Sequence, residues 1–239
     1  MVAEKVLTLI TQKFNYTKCK RETINSKRHY CLPDGSKVPS VTTILDITKS
    51  EKQKATLRNW RKRVGTAEAT RITTEAAGRG TRMHKWLENY VLEGAMGTPG
   101  SNPYSQQSFK MAEIIIAEGL INVDEYWGTE VPLYFPGVYA GTTDCVGLYN
   151  GKPAILDFKQ TNKPKRTEWV EDYFMQLCAY AEAHNEVHGT DIQQGVILMC
   201  SKDYQYQTWT IEGDDYKNNS RKWWTRCEEY YTKMAKGEI

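Results

Sequence analysis

Apolar residues recur at helical spacing in the first half of the chain and at alternate positions further on, which predicts helices followed by a strand meander. The first forty residues are an exception: strand pieces flank a turn at Pro33-Asp34-Gly35. Ser40 precedes Val41, Ile44 and Leu45, the pattern of an N-cap and a short helix. The stretch EKQKATLRNWRKRVG predicts a basic helix ending at Gly65. A further helical stretch is expected to break at Gly78-Arg79-Gly80, with Thr81 capping the next helix, which closes at Gly94. Residues 95–104, rich in Gly, Pro, Ser and Asn, read as a surface loop before the amphipathic helix SQQSFKMAEIIIAEGL. From Tyr126 the pattern turns to strands: WGTEVPLYF, VYAGTTDCVGLY and KPAILDFK. A long helix from about Arg166 to His188, the strands GVILMCS and YQYQTWTI, and a terminal helix rich in Trp and Tyr complete the order. No repeat and no long linker divides the chain, so one domain over 1–239 is expected, with a helical region at about 40–95 and a sheet core at about 125–212.

One hairpin in this pattern carries chemistry. Asn150-Gly151 is a strong signal for a two-residue type I′ turn, which needs positive φ at both central residues. With these residues at the turn, Tyr149 faces Lys152, Val146 faces Ile155, and Asp144 faces Asp157. Two carboxylates then share one face, with Cβ atoms about 4.5–5.5 Å apart. Like charges so placed need compensation, and Mg2+ or Mn2+, which favour carboxylate oxygens, would supply it. Lys159 lies two residues beyond Asp157 on the same face, while Phe158 points into the opposite apolar layer with Leu156 and Ala154. The Phe158 carbonyl is a further available ligand. Taken alone, the pattern also fits an edge hairpin with solvated charges.

Composition alters little. A net charge of +3 on 239 residues neither demands nor excludes nucleic acid, so the distribution of charge matters more. Between Lys52 and Arg63 there is no acid, and Arg58, Trp60, Arg61 and Lys62 combine cations with an aromatic ring, as phosphate contact and base stacking require. Six cysteines (Cys19, Cys31, Cys145, Cys178, Cys200, Cys227) form no CxxC pair, which disfavours zinc or an iron–sulfur cluster and favours reduced thiols. MVAEKVLTLI lacks the features of a secretory signal and no apolar run could span a bilayer, so a cytoplasmic location without membrane contact is expected.

Asp144 followed by Asp157-Phe158-Lys159 resembles the D…(D/E)xK signature of the PD-(D/E)XK nuclease superfamily. Gly80-Thr81-Arg82-Met83-His84 resembles the GTxxH helix motif of its RecB-like and Cas4-like branch; Tyr139 to Asp144 resembles the AGxxD strand, and Gln176 to Tyr180 the QxxxY helix. Val38 to Leu45 and Lys163-Pro164-Lys165 are similar to segments of the mitochondrial genome maintenance exonucleases and their phage relatives. The resemblance implies an α/β, restriction-endonuclease-like core, with a central mixed sheet flanked by helices and an N-terminal helical elaboration. It implies that Asp144, Asp157 and His84 hold Mg2+ or Mn2+, that Lys159 orients water and steadies phosphate charge, and that Gln176 and Tyr180 contact DNA or support Lys159.

Glu130 sits where the branch has an acidic residue, and Glu88 lies one turn past His84; each is either a supporting group around the metal or a solvated glutamate. The basic helix and the Gly78-Arg79-Gly80 break are expected to stand over the site as a positively charged passage lined by Arg58, Trp60 and Arg61, with Arg79, Arg82, Lys163 and Lys165 as further DNA-binding candidates. The implied activity is metal-dependent hydrolysis of DNA from single-stranded ends, in a bacterial or phage-infected cell. A structure-specific endonuclease and a non-catalytic nucleic-acid-binding module remain the alternatives.

Overall fold

The protein is described by a computed structural model over residues 10, 11 and 13–239. The reading of the first nine residues as lacking a secretory signal lies outside the described residues. Three short strands, β1 (Lys20–Ile24), β2 (Lys27–Cys31) and β3 (Lys37–Pro39), form a small antiparallel sheet. Four helices follow: α1 (Val41–Ile47), α2 (Glu51–Val64), α3 (Thr66–Glu93) and α4 (Pro103–Glu118). The main sheet contains β4 (Val123–Phe135), β5 (Tyr139–Tyr149), β6 (Lys152–Thr161), β7 (Gly195–Ser201) and β8 (Tyr206–Ile211), in that spatial order. Helix α5 (Glu171–His188) crosses over between β6 and β7, which are parallel neighbours in the main sheet, and α6 (Gly213–Ala235) is the last element. The expected mixed sheet flanked by helices is therefore present.

Alternation along the strands divides the core between the two faces of the sheet. Val146, Ile155 and Ile197 pack with Leu177, Ala181 and Trp223 from α5 and α6. Leu156, Phe158 and Leu198 pack with Met83, Leu87, Met111 and Ile115 from α3 and α4, so Phe158 joins the apolar layer opposite the acids as expected. The small sheet docks through Tyr30, Leu32 and Val38 against Ala140, and a bridge joins Ser40 to Ala140.

The hairpin register agrees with the turn chemistry: Val146 pairs with Ile155 and Tyr149 with Lys152, with φ of 49° at Asn150 and 75° at Gly151. Ser40 caps α1 by accepting from the Thr43 amide, and Gly65 and Gly94 end their helices. The first main strand begins at Val123, a turn of sequence earlier than Tyr126, and a short 3-10 turn over Thr167–Trp169 delays the long helix to Glu171.

The break at Gly78-Arg79-Gly80 does not occur. Helix α3 runs unbroken from Thr66 to Glu93, and the Thr81 hydroxyl donates back to the Ala77 carbonyl at 3.1 Å instead of capping a new helix. Each glycine costs about 1 kcal/mol of helix propensity, but tertiary contact overrides this. A Cβ at Gly80 would stand 3.3 Å from Gln160 Cγ, and the intervening Arg79 is buried, its Nε donating to Gln160 Oε1 at 2.9 Å. The glycine admits β6 close to the helix.

All six cysteines are free. Among the described residues, no helix is long and apolar enough to cross a membrane.

Gly141 on β5 is held to a side chain of hydrogen by Tyr180 of α5. A Cβ there would lie 2.7 Å from Tyr180 Cε1 and 2.8 Å from its hydroxyl. Gly141→Ala should cost about 1–3 kcal/mol through overpacking, read as a lowered denaturation midpoint with an unchanged slope. An unchanged midpoint would show that the Tyr180 ring swings aside freely.

Candidate metal centre

Three elements bring ligand-type atoms together. His84 comes from α3, Glu130 from β4 and Asp144 from β5, and one ligand atom from each lies within 4.8 Å of the others. His84 Nδ1 is 3.2 Å from Asp144 Oδ1. His84 is placed because Met83 and Leu87, its neighbours on α3, are fully buried against the sheet. Glu130 has a φ of 49°, in the left-handed region, and lies between the pairs Thr129–Cys145 and Val131–Thr143. A non-glycine residue held there stores backbone strain of order 1–3 kcal/mol, a feature that concentrates at functional sites.

The two strand acids have different surroundings. The β5–β6 ladder ends at Cys145–Leu156, and just beyond it Asp144 Oδ2 accepts from the Phe158 amide at 2.6 Å. Phe158 thus reaches the site through its N–H. Asp157 is 2% exposed and lies outside the mutual cluster of His84, Glu130 and Asp144. The Lys159 ammonium stands 2.5 Å from Asp157 Oδ2, yet that buried oxygen receives no well-directed hydrogen bond. The lysine ammonium is its close counter-charge, so this acid is compensated from within the chain.

Lys159 is in turn held by α5. Its ammonium donates to Gln176 Oε1 at 3.4 Å and sits 4.8 Å from the centroid of the Tyr173 ring. Gln176 Nε2 donates to the Tyr180 hydroxyl at 3.3 Å, one helical turn on. The QxxxY residues therefore support the lysine. Tyr173 escaped the sequence reading, although its place three residues before Gln176 puts it on the same helix face and was the available signal.

Burial opposes every charge here, and neighbours decide the outcome. Burial works against an ionised Asp144, but His84, Lys159 and the Phe158 amide bring its carboxyl below the ordinary range. Burial raises Asp157, and the Asp144 charge adds to that against the pull of Lys159. Burial favours a neutral Lys159, yet Asp157 and Asp144 raise it above the usual lysine value. Burial lowers His84, but Asp144 more than reverses this, to about 8. Glu130 is exposed over much of its surface, and its carboxyl is still pushed up to about 7, first by desolvation and then by Asp144.

The remaining candidates scatter. Glu88 pairs with Lys85 at 3.0 Å near the cluster. Arg79 cannot line a basic passage: it is 1% exposed and ties α3 to the end of β6 through Gln160 and Asn162. Its burial was invisible in a sequence where it stood between two glycines. Arg82 is half-buried and turns to α4, donating to the Tyr104 carbonyl at 3.3 Å. Arg58, Arg61 and Lys62 are exposed on α2, with Trp60 half-buried among them; no residue of that helix is buried. Lys163 is exposed, and the backbone of Lys165 is clasped by the Gln207 side chain.

No family model matches the chain. It is similar to mitochondrial genome maintenance exonuclease 1 of Xenopus tropicalis, 28% identical over 216 residues that cover 84% of this chain and 59% of that protein. The Mus musculus protein of the same name is 27% identical, covering 82% and 60%, and that of Homo sapiens is 25% identical, covering 84% and 60%. Among solved structures, a protein from Eubacterium rectale aligns over 69% of each chain with a TM-score of 0.47 and 12% identity. An alkaline exonuclease from Laribacter hongkongensis aligns over 84% of this chain and 94% of its own, with a TM-score of 0.31 and 14% identity. The chain spans about 60% of the length of the curated relatives that it matches.

Proposed function

We propose that this chain is a divalent-metal-dependent DNA exonuclease of the PD-(D/E)XK type that acts on single-stranded ends. The observation that carries the reading is the convergence of His84, Glu130 and Asp144 within 4.8 Å of one another, beside the buried Asp157–Lys159 pair. The name of the relatives, exonuclease, points the same way.

His84, Glu130 and Asp144, with the buried Asp157 behind them, are the residues that would hold Mg2+ or Mn2+, an oxygen-rich set with one imidazole. When bound, such a cation lowers the pKa of a water and neutralises charge on a phosphate oxygen. Lys159 acts as a permanent cation. Asp157 and Asp144 keep it protonated, so it donates to a phosphate oxygen or a water and does not serve as the base. Gln176 and Tyr173 fix the position of its ammonium, and Tyr180 fixes Gln176. The exposed cations of α2, together with Trp60, suit an unpaired strand: phosphates meet Arg58, Arg61 and Lys62, and bases stack on the ring.

Lys159→Ala should lower turnover on an end-labelled oligonucleotide about 100- to 1,000-fold, with binding in EDTA little changed. Equal loss of both would move Lys159 to a binding or folding role.

Metal affinity should depend on pH. A cation displaces protons from its ligands, and Glu130 is pushed up to about 7 and His84 to about 8. Both hold protons at low pH, so Mn2+ affinity in calorimetry should rise as pH increases through these values and level off above them. A flat profile would place the cation elsewhere.

The need for an end is tested by incubating linear and covalently closed single-stranded DNA with protein and Mg2+. The linear strands should disappear while the circles survive. Rapid cutting of circles would favour an endonuclease.

A further inference from the structure

A cleft of about 460 Å3 opens between the β1–β2 turn, α1 and the first turn of α5. Its floor includes Tyr173 and Gln176, the two residues that hold the Lys159 ammonium from the other side. The cleft therefore lies one side chain away from the proposed reaction centre. Its volume falls within the range of small-ligand pockets, about 300–1,000 Å3.

The walls carry three cations, Lys27, Arg28 and Lys49, and two acids, Asp46 and Asp172, and these charges are unequally satisfied. Asp46 takes Lys49 at 2.7 Å and Lys27 at 3.8 Å, while Asp172 faces Arg226 of α6 at 3.5 Å. Arg28 has no acidic partner among the described residues, and it is exposed. Its backbone is fixed: the Arg28 carbonyl accepts from the Ser40 amide at 3.0 Å and from the Thr43 hydroxyl at 3.0 Å. A free guanidinium on a pinned backbone, facing a cleft floored by an aromatic ring and an amide, suits a phosphate with an attached sugar and base.

We infer that this cleft is the subsite for the nucleotide flanking the scissile phosphate, with Arg28 gripping a backbone phosphate beside Lys27 and Lys49 while Tyr173 supports the sugar or base. The inference rests on the nuclease reading. It also gives the small N-terminal sheet a task, since its first hairpin forms one wall.

The test uses the full chain in EDTA, so that no strand is cut. A fluorescent single-stranded oligonucleotide is titrated with wild type and with the double variant Lys27→Ala/Arg28→Ala across a range of KCl. Two lost phosphate contacts should lower the slope of log K against log salt by about 1.4, at about 0.7 per contact on a single strand. An unchanged slope and affinity would overturn the subsite. If the double variant melts early, Arg28→Gln alone replaces it, with an expected loss of about 0.7 in slope and no change overturning the subsite. Free deoxythymidine monophosphate is titrated in parallel. Competition with the oligonucleotide on wild type, weakened in the variant, supports a nucleotide pocket; equal competition on both proteins overturns it. Cleavage by wild type with Mg2+ is measured separately. A wild type that never cuts would sink the nuclease reading and the subsite with it, whereas a wild type that cuts while the variant keeps the full salt slope sinks the subsite alone.

Discussion

The arrangement of the protein turns on one electrostatic problem: two carboxylates, Asp144 and Asp157, stand side by side on neighbouring strands, one of them almost wholly removed from water. Like charges on adjacent strands, one of them buried, are tolerable only with positive charge beside them. The chain supplies it from both layers of helices. From one side α3 brings His84 to Asp144; from the other, α5 steadies the lysine that faces Asp157. The sheet alone could not hold this centre. That explains why both helical layers pack so tightly there, with Gly141 stripped of a side chain under Tyr180 and Gly80 under Gln160.

The compensation also divides the labour. Asp144 is pulled toward the ionised form and Asp157 toward the neutral one, so the pair is electrostatically unequal although the residues are chemically identical. Lys159 is the counterweight to both acids, and the same two charges deny it any role that needs a free amine. A group of this kind contributes most where negative charge grows during a reaction and little where it is already present.

Much of the centre was legible because local rules govern hairpins. Asn150-Gly151 sets the turn, the turn sets the register, and the register sets which side chains share a face. The helix of Gln176 and Tyr180 was legible for a similar reason, since a spacing of four residues is one turn. What failed depended on distant partners. Glycines at 78 and 80 weaken a helix in isolation, but Gln160 and Asn162, some eighty positions away, hold Arg79 and keep the helix whole. Glu130 reads in sequence as either a supporting group or a solvated glutamate, and its left-handed backbone, which brings it to His84 and Asp144, is not foreseen there. The cleft beside Lys159 draws on residues near 28, 46 and 173, and no local pattern connects them.

The buried Arg79 has a mechanical consequence. It fastens the middle of α3 to the far end of β6, while His84 sits five residues along the same helix and Asp157 and Lys159 lie on the same strand. Helix and strand are thereby splinted at a point next to the reactive groups. Sliding of α3 along the sheet would have to break a desolvated guanidinium clasp, so the spacing between imidazole and carboxylates is set by the scaffold itself. The centre is held by the scaffold on both sides, in contrast to α2, where no residue is buried.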